Sequence, residues 1–83
     1  MLTKILLFTG ENCPNCTSAK EFLTENGLVL GKDYTILNVT TEPSSRKLLI
    51  SKGIMTVPTI IFNNEEIITG FNKEKYEAIM AKM

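Results

Sequence analysis

Residues 4–16 read Lys4-Ile5-Leu6-Leu7-Phe8-Thr9-Gly10-Glu11-Asn12-Cys13-Pro14-Asn15-Cys16. Lys4–Thr9 is a short, unbroken apolar run, the pattern of a strand buried on both faces. Gly10-Glu11-Asn12 breaks it. A helix is expected over residues 14–26. Pro14 suits its first turn, where a missing N–H costs nothing. Cys16, Ala19, Phe22 and Leu23 fall on one face, and Gly27 suits the stop. The two cysteines therefore stand at a strand-to-helix junction, about one helical turn apart, where both sulfurs can close a small disulfide. They are the only cysteines in the chain.

Working outward, Tyr34–Val39 reads as a second strand. Pro43 stands in a first-turn position, a second helix is expected over Ser44–Lys52 with Leu48 and Leu49, and Gly53 ends it. Thr59–Phe62 and Glu65–Thr69 flank Asn63-Asn64, two apolar strands around turn-prone residues, and read as an antiparallel hairpin. A last helix over Lys73–Met83 carries Tyr76, Ile79, Met80 and Met83 at helical spacing. Asn72 caps it, and Phe71 is placed to pack on Tyr76. The order β-α-β-α-β-β-α makes an α/β domain. A right-handed crossover gives one parallel pair, the hairpin gives an antiparallel pair, and helices can cover both faces of a four-stranded mixed sheet.

Eighty-three residues read as a single domain, 1–83. The 43% hydrophobic and 22% charged fractions are those of a soluble globular chain. Nine basic residues balance nine acidic ones, which argues against nucleic acid or an anionic membrane as partner. Ile5–Phe8 is too short for a secretory h-region, and no apolar stretch approaches the ~20 residues of a membrane span. A reducing cytosol is the expected compartment, and a Cys-x-x-Cys there is commonly catalytic or metal-binding.

The chemistry follows from placement. A thiolate attacks disulfides, and an ordinary thiol with pKa ~8.5 is mostly protonated at neutral pH. Unpaired N–H groups at a helix start favour the anion. Cys13, in the N-cap position, is expected to be exposed and to attack. Cys16, one turn in beside Ala19 and Leu23, is expected to be buried and to resolve the mixed disulfide. Glu11 would oppose the thiolate if it turned toward Cys13. A structural zinc site needs four ligands, and the chain offers no histidine and no third cysteine. A four-cysteine site shared between two chains remains the metal reading.

Together with Thr56-Val57-Pro58 and Ile67-Ile68-Thr69-Gly70-Phe71 before the last helix, this motif resembles the thioredoxin-fold superfamily, and within it the glutaredoxin branch, over nearly the whole chain. The resemblance implies a thioredoxin fold and a dithiol–disulfide oxidoreductase with catalytic Cys13 and Cys16. It implies a cis Pro58 beside the cysteines, with the backbone of Val57 pairing with an extended substrate. Asn12, Pro14, Thr56, Gly70 and Phe71 complete the expected substrate-binding set, and Met55 is a further groove candidate. Typical glutaredoxins carry a lysine where this chain has Gly10 and an aspartate near Asn72, both serving glutathione; thioredoxins carry an aspartate where this chain has Leu7. The Thr-Gly-Phe stretch is similar to that of redoxins serving ribonucleotide reductase. No bound cofactor is expected. The expected substrates are protein disulfides, that of ribonucleotide reductase among them. The expected electron donor is thioredoxin reductase or glutathione, and the expected state is a monomer. The alternative from the family is a carrier of a metal or an iron–sulfur cluster held between subunits through Cys13.

Overall fold

The computed structural model describes residues 5–63 and 66–82. Strands β1 (Ile5–Thr9), β2 (Tyr34–Asn38), β3 (Thr59–Phe62) and β4 (Glu66–Thr69) alternate with helices α1 (Pro14–Glu25), α2 (Pro43–Ser51) and α3 (Lys73–Met80) in the order β-α-β-α-β-β-α. They form one four-stranded sheet ordered β2-β1-β3-β4. β1 is flanked on both edges. It runs parallel to β2 in the register Ile5↔Tyr34 to Thr9↔Asn38, and antiparallel to β3 in the register Ile5↔Phe62 to Phe8↔Thr59. β3 and β4 form the antiparallel hairpin.

The unbroken apolar character of β1 has a direct cause: each face meets helix. Strand side chains alternate in direction. Ile5 and Leu7 join Ile60, Phe62 and Ile68 beneath the buried faces of α1 and α3, including Leu23 and Tyr76. Phe8 joins Ile61, Leu49 and Ile54 on the other face, with Leu6 and Leu37 packed alongside, under α2. Truncating a wholly buried residue such as Leu7 removes about 2–5 kcal/mol in comparable cores. Within α2 only Leu49 of the leucine pair is buried; Leu48 is 39% exposed.

Helix limits follow local hydrogen bonding. α1 and α2 end where a left-handed glycine reverses the chain, at Gly27 (φ +81°) and Gly53 (φ +76°). In both, the next N–H reaches back to the last turn, Leu28 N–H to the Leu23 carbonyl at 3.1 Å and Ile54 N–H to the Leu49 carbonyl at 3.2 Å. Asn26 is the cap of α1 rather than its last residue. α2 starts at Pro43 itself and stops at Ser51. β2 stops at Asn38, although the Val39 N–H still donates to the Thr9 carbonyl at 2.8 Å. α3 is shorter than its apolar spacing suggests: it ends at Met80, and the Lys82 N–H tightens onto the Ile79 carbonyl. Asn72 caps α3, its Oδ1 accepting the Lys75 N–H at 3.1 Å. The expected contributions of Lys4, Asn64, Glu65 and Met83 lie outside the described residues.

Phe22, Phe71 and Tyr76 meet edge to face, with ring centroids 5.1–6.2 Å apart, the favoured arrangement of aromatic quadrupoles. Burial pushes the Tyr76 hydroxyl from the ordinary 10.0 up to about 12. A raised folded-state pKa means that the unfolded chain loses the proton first, so stability is fully present below pH 10 and falls as pH rises toward 12. Denaturant midpoints measured from pH 9 to 12 are expected to fall across this window, and Tyr76→Phe is expected to flatten the slope.

Candidate active site

β1 delivers the chain to the site at its carboxyl end. After Thr9, Gly10 passes close to two neighbours: a Cβ there would lie 3.3 Å from the Thr40 hydroxyl and 3.3 Å from a Val57 methyl. Position 10 therefore suits glycine for a packing reason that its composition alone does not show. Asn12 then adopts a left-handed conformation (φ +53°), which asparagine tolerates better than most residues, and the chain turns into α1.

This turn is tied to the end of β2. The Glu11 N–H donates to Thr40 Oγ1 at 3.1 Å, and Asn38 Nδ2 donates to the Glu11 carboxylate at 3.5 Å. Asn38 Oδ1 accepts the N–H groups of Thr40 and Thr41 at 2.9 and 3.2 Å, while its own N–H donates to Glu42 Oε1 at 3.0 Å. Glu11 is thus engaged with Asn38.

Cys13 has extended backbone angles and is the N-cap of α1. Its sulfur accepts the Cys16 N–H at 3.1 Å, and its carbonyl accepts the N–H groups of Cys16 and Thr17. Cys13 and Cys16 are joined in a disulfide with Cα atoms 5.2 Å apart. Cys13 is half-buried, whereas Cys16 is 2% exposed and lies on the α1 face that also buries Ala19 and Leu23. Pro14 and Asn15 are exposed in the first turn.

Facing the disulfide is the Val57–Pro58 peptide, which is cis. The Val57 carbonyl oxygen lies 3.9 Å from Cys13 Sγ. Pro58 is buried, and Thr56 and Val57 are exposed and half-buried. The turn is secured by the Thr59 hydroxyl, which donates to the Thr56 carbonyl at 2.6 Å. Behind it, the Gly70 N–H donates to the Pro58 carbonyl at 2.7 Å. Cys13, Cys16, Val57 and Pro58 are therefore together, with Gly70 one hydrogen bond further back. Phe71 packs inward on Phe22 and Tyr76. Met55 is 85% exposed and borders, with Val57, Val39 and Ile50, a shallow depression of about 160 Å³, smaller than the ~300 Å³ at which small-molecule pockets begin. Among the described residues no group of three or more His, Cys, Asp or Glu is arranged to hold a metal ion.

The glutaredoxin family model matches residues 5–67. The chain belongs to the glutaredoxin family. It is 36% identical to a protein named thioredoxin from Methanocaldococcus jannaschii, over 96% of this chain and 95% of that one. Its structure is similar to that of the thioredoxin-like protein BC3987, with a TM-score of 0.77, 29% identity and coverage of 90% and 97% of the two chains. The fold also matches NrdH-redoxin from Escherichia coli, with a TM-score of 0.76, 21% identity and coverage of 90% and 92%. This glutaredoxin-like chain is a redox protein of the thiol–disulfide oxidoreductase class, with its cysteine pair at the head of α1.

Sequence alone assigns no site role to Asn38, Thr40, Tyr76 or Thr9. Asn38 and Thr40 brace the loop before Cys13; the run Asn38-Val39-Thr40-Thr41 has the composition of an Asx-type turn, which was the available signal. For Tyr76 the sequence indicates an apolar helix position packed by Phe71 and gives no partner for its hydroxyl. Thr9, 1% exposed, ends β1 with a hydroxyl that has no hydrogen-bond partner among the described residues. Asn38→Ala removes the acceptor of the Thr40 and Thr41 N–H groups and the donor to Glu11. These bonds are exposed, so water can take their place, and the unfolding free energy is expected to fall by about 0.5–1.5 kcal/mol, read from urea melts of the oxidised protein.

Proposed function

We propose that the protein is a small dithiol–disulfide electron carrier that reduces protein disulfides through Cys13-Pro14-Asn15-Cys16. The observation that supports this most directly is the setting of the Cys13 sulfur. It caps α1, receives the Cys16 N–H at 3.1 Å and lies 3.9 Å from the Val57 carbonyl, while its disulfide partner is buried.

In the reduced protein the donors at the start of α1 stabilise a Cys13 thiolate. That thiolate attacks one sulfur of a substrate disulfide. A mixed disulfide forms and the other substrate sulfur leaves as a thiolate. Cys16, losing its proton, then attacks the Cys13 sulfur. The second substrate thiol departs, and two electrons have passed from the protein to the substrate as the Cys13–Cys16 disulfide closes. The backbone of Val57 pairs with extended substrate chain, as an added strand does. Asn12, Pro14 and Thr56 border the approach to Cys13, with Gly70 and Phe71 on the side behind Pro58.

Two donors can return the electrons: a flavoprotein thioredoxin reductase or glutathione. The reading favours the reductase. Gly10 and Asn72 stand where glutaredoxins hold the charged ends of glutathione with lysine and aspartate, and a side chain at position 10 would press on Thr40 and Val57. The relative of 36% identity bears the name thioredoxin. The proposal places the protein as a monomer in a reducing cytosol, where an open dithiol persists, with the disulfide of ribonucleotide reductase among its targets.

The test couples insulin reduction to NADPH through thioredoxin reductase, and separately through glutathione and glutathione reductase. Turnover with thioredoxin reductase at several times the glutathione rate is expected, with Cys13→Ser at background in both. Activity with glutathione alone would overturn the choice of donor, and full activity of Cys13→Ser would overturn the role of the site.

A further inference from the structure

Tyr76 is wholly buried, yet it ends in a hydroxyl that a phenylalanine would lack. The surrounding groups are apolar, Phe22 and Phe71 above all. The hydroxyl does not reach solvent; it donates to the Gly70 carbonyl at 3.3 Å. Gly70 is left-handed (φ +74°) and follows the last residue of β4. Its N–H donates to the Pro58 carbonyl at 2.7 Å. Pro58 is the second half of the peptide whose first half, Val57, turns its carbonyl to Cys13 Sγ at 3.9 Å. A continuous series of bonds thus leads from the middle of α3 to the wall opposite the reactive sulfur.

We infer that Tyr76 is a positioning residue for thiol–disulfide exchange: its hydroxyl fixes the Gly70–Phe71 peptide, and through the Gly70–Pro58 hydrogen bond it holds the Val57–Pro58 wall on which substrate backbone pairs. The peptide plane makes the orientation specific. With the Gly70 carbonyl turned to Tyr76, the Phe71 N–H at the other end of the same trans unit faces the opposite way. Gly70 has no side chain to resist rotation, and a Cβ there would meet nothing within 4 Å. The Tyr76 hydroxyl therefore holds the Gly70–Phe71 peptide on one side of the Gly70 Cα, and the Pro58 carbonyl holds the Thr69–Gly70 peptide on the other. The ring alone fills the core, so shape is retained when the hydroxyl is removed.

The inference rests on the oxidoreductase reading above, and the experiment separates the two. Wild type and Tyr76→Phe are compared by amide hydrogen exchange at Gly70 and Phe71, by the rate of the reduced protein with the small disulfide 5,5′-dithiobis(2-nitrobenzoate), and by kcat and KM for insulin reduction. In Tyr76→Phe, exchange at Gly70 is expected to rise about tenfold. KM for insulin should rise about three- to tenfold with kcat and the small-disulfide rate unchanged. Unchanged Gly70 exchange and unchanged KM in a folded Tyr76→Phe would overturn the inference. A loss of small-disulfide reactivity equal to the loss with insulin would overturn it too, because Tyr76 would then act on the thiol and not on the wall. Absence of reactivity in the wild type would instead sink the oxidoreductase reading.

Discussion

The structure depends on β1 being enclosed. It has a strand on each edge and helix over each face, so its backbone groups are paired and its side chains have one arrangement available. Everything at the site is referred to this fixed strand. Its last residue sets where the chain leaves the sheet, and four residues later the chain reaches Cys13. Its antiparallel register with β3 sets where Val57–Pro58 arrives from the other side. A slip of one residue would exchange the two faces of β1 and misplace the cysteines at the same time.

On this frame the reactive pair is divided by environment. The sulfur at the N-cap accepts the Cys16 N–H; the sulfur one turn later lies on the buried face with Ala19 and Leu23. The first position favours a charged nucleophile, and the second protects a thiol until its partner is engaged. The loop that leads into the pair gains order from Asn38 and Thr40 on β2 and its following turn, while the facing wall gains it from β4 and α3. Residues well separated in sequence thus converge on Cys13, Cys16, Val57 and Pro58. The buried Thr9 hydroxyl has no hydrogen-bond partner among the described residues.

What the chain discloses in sequence is what is local. The β1 run, the Pro14 start of α1, the glycine stops and the spacing of Tyr76 and Ile79 are periodic or positional signals, and they place every element correctly in order and type, with limits that differ by one to three residues at several ends. The Cys13-Pro14-Asn15-Cys16 and Thr56-Val57-Pro58 motifs marked both sides of the site. The braces were hidden because they join residues far apart: Glu11 to Thr40 spans 29 positions and Asn38 to Glu11 spans 27. Such bonds leave no period in sequence. Tyr76 shows the same limit. Its ring follows from helical spacing, but the partner of its hydroxyl depends on where Gly70 lies in space. Gly10 looked like an omitted lysine; its neighbours give it a steric reason as well.

The central claim is that Cys13 is the attacking thiol and Cys16 the sheltered one. Brief exposure of the reduced protein to less than one equivalent of iodoacetamide, followed by peptide mass mapping, tests it directly. The account predicts label on Cys13 with Cys16 unmodified; equal labelling, or label chiefly on Cys16, would contradict it.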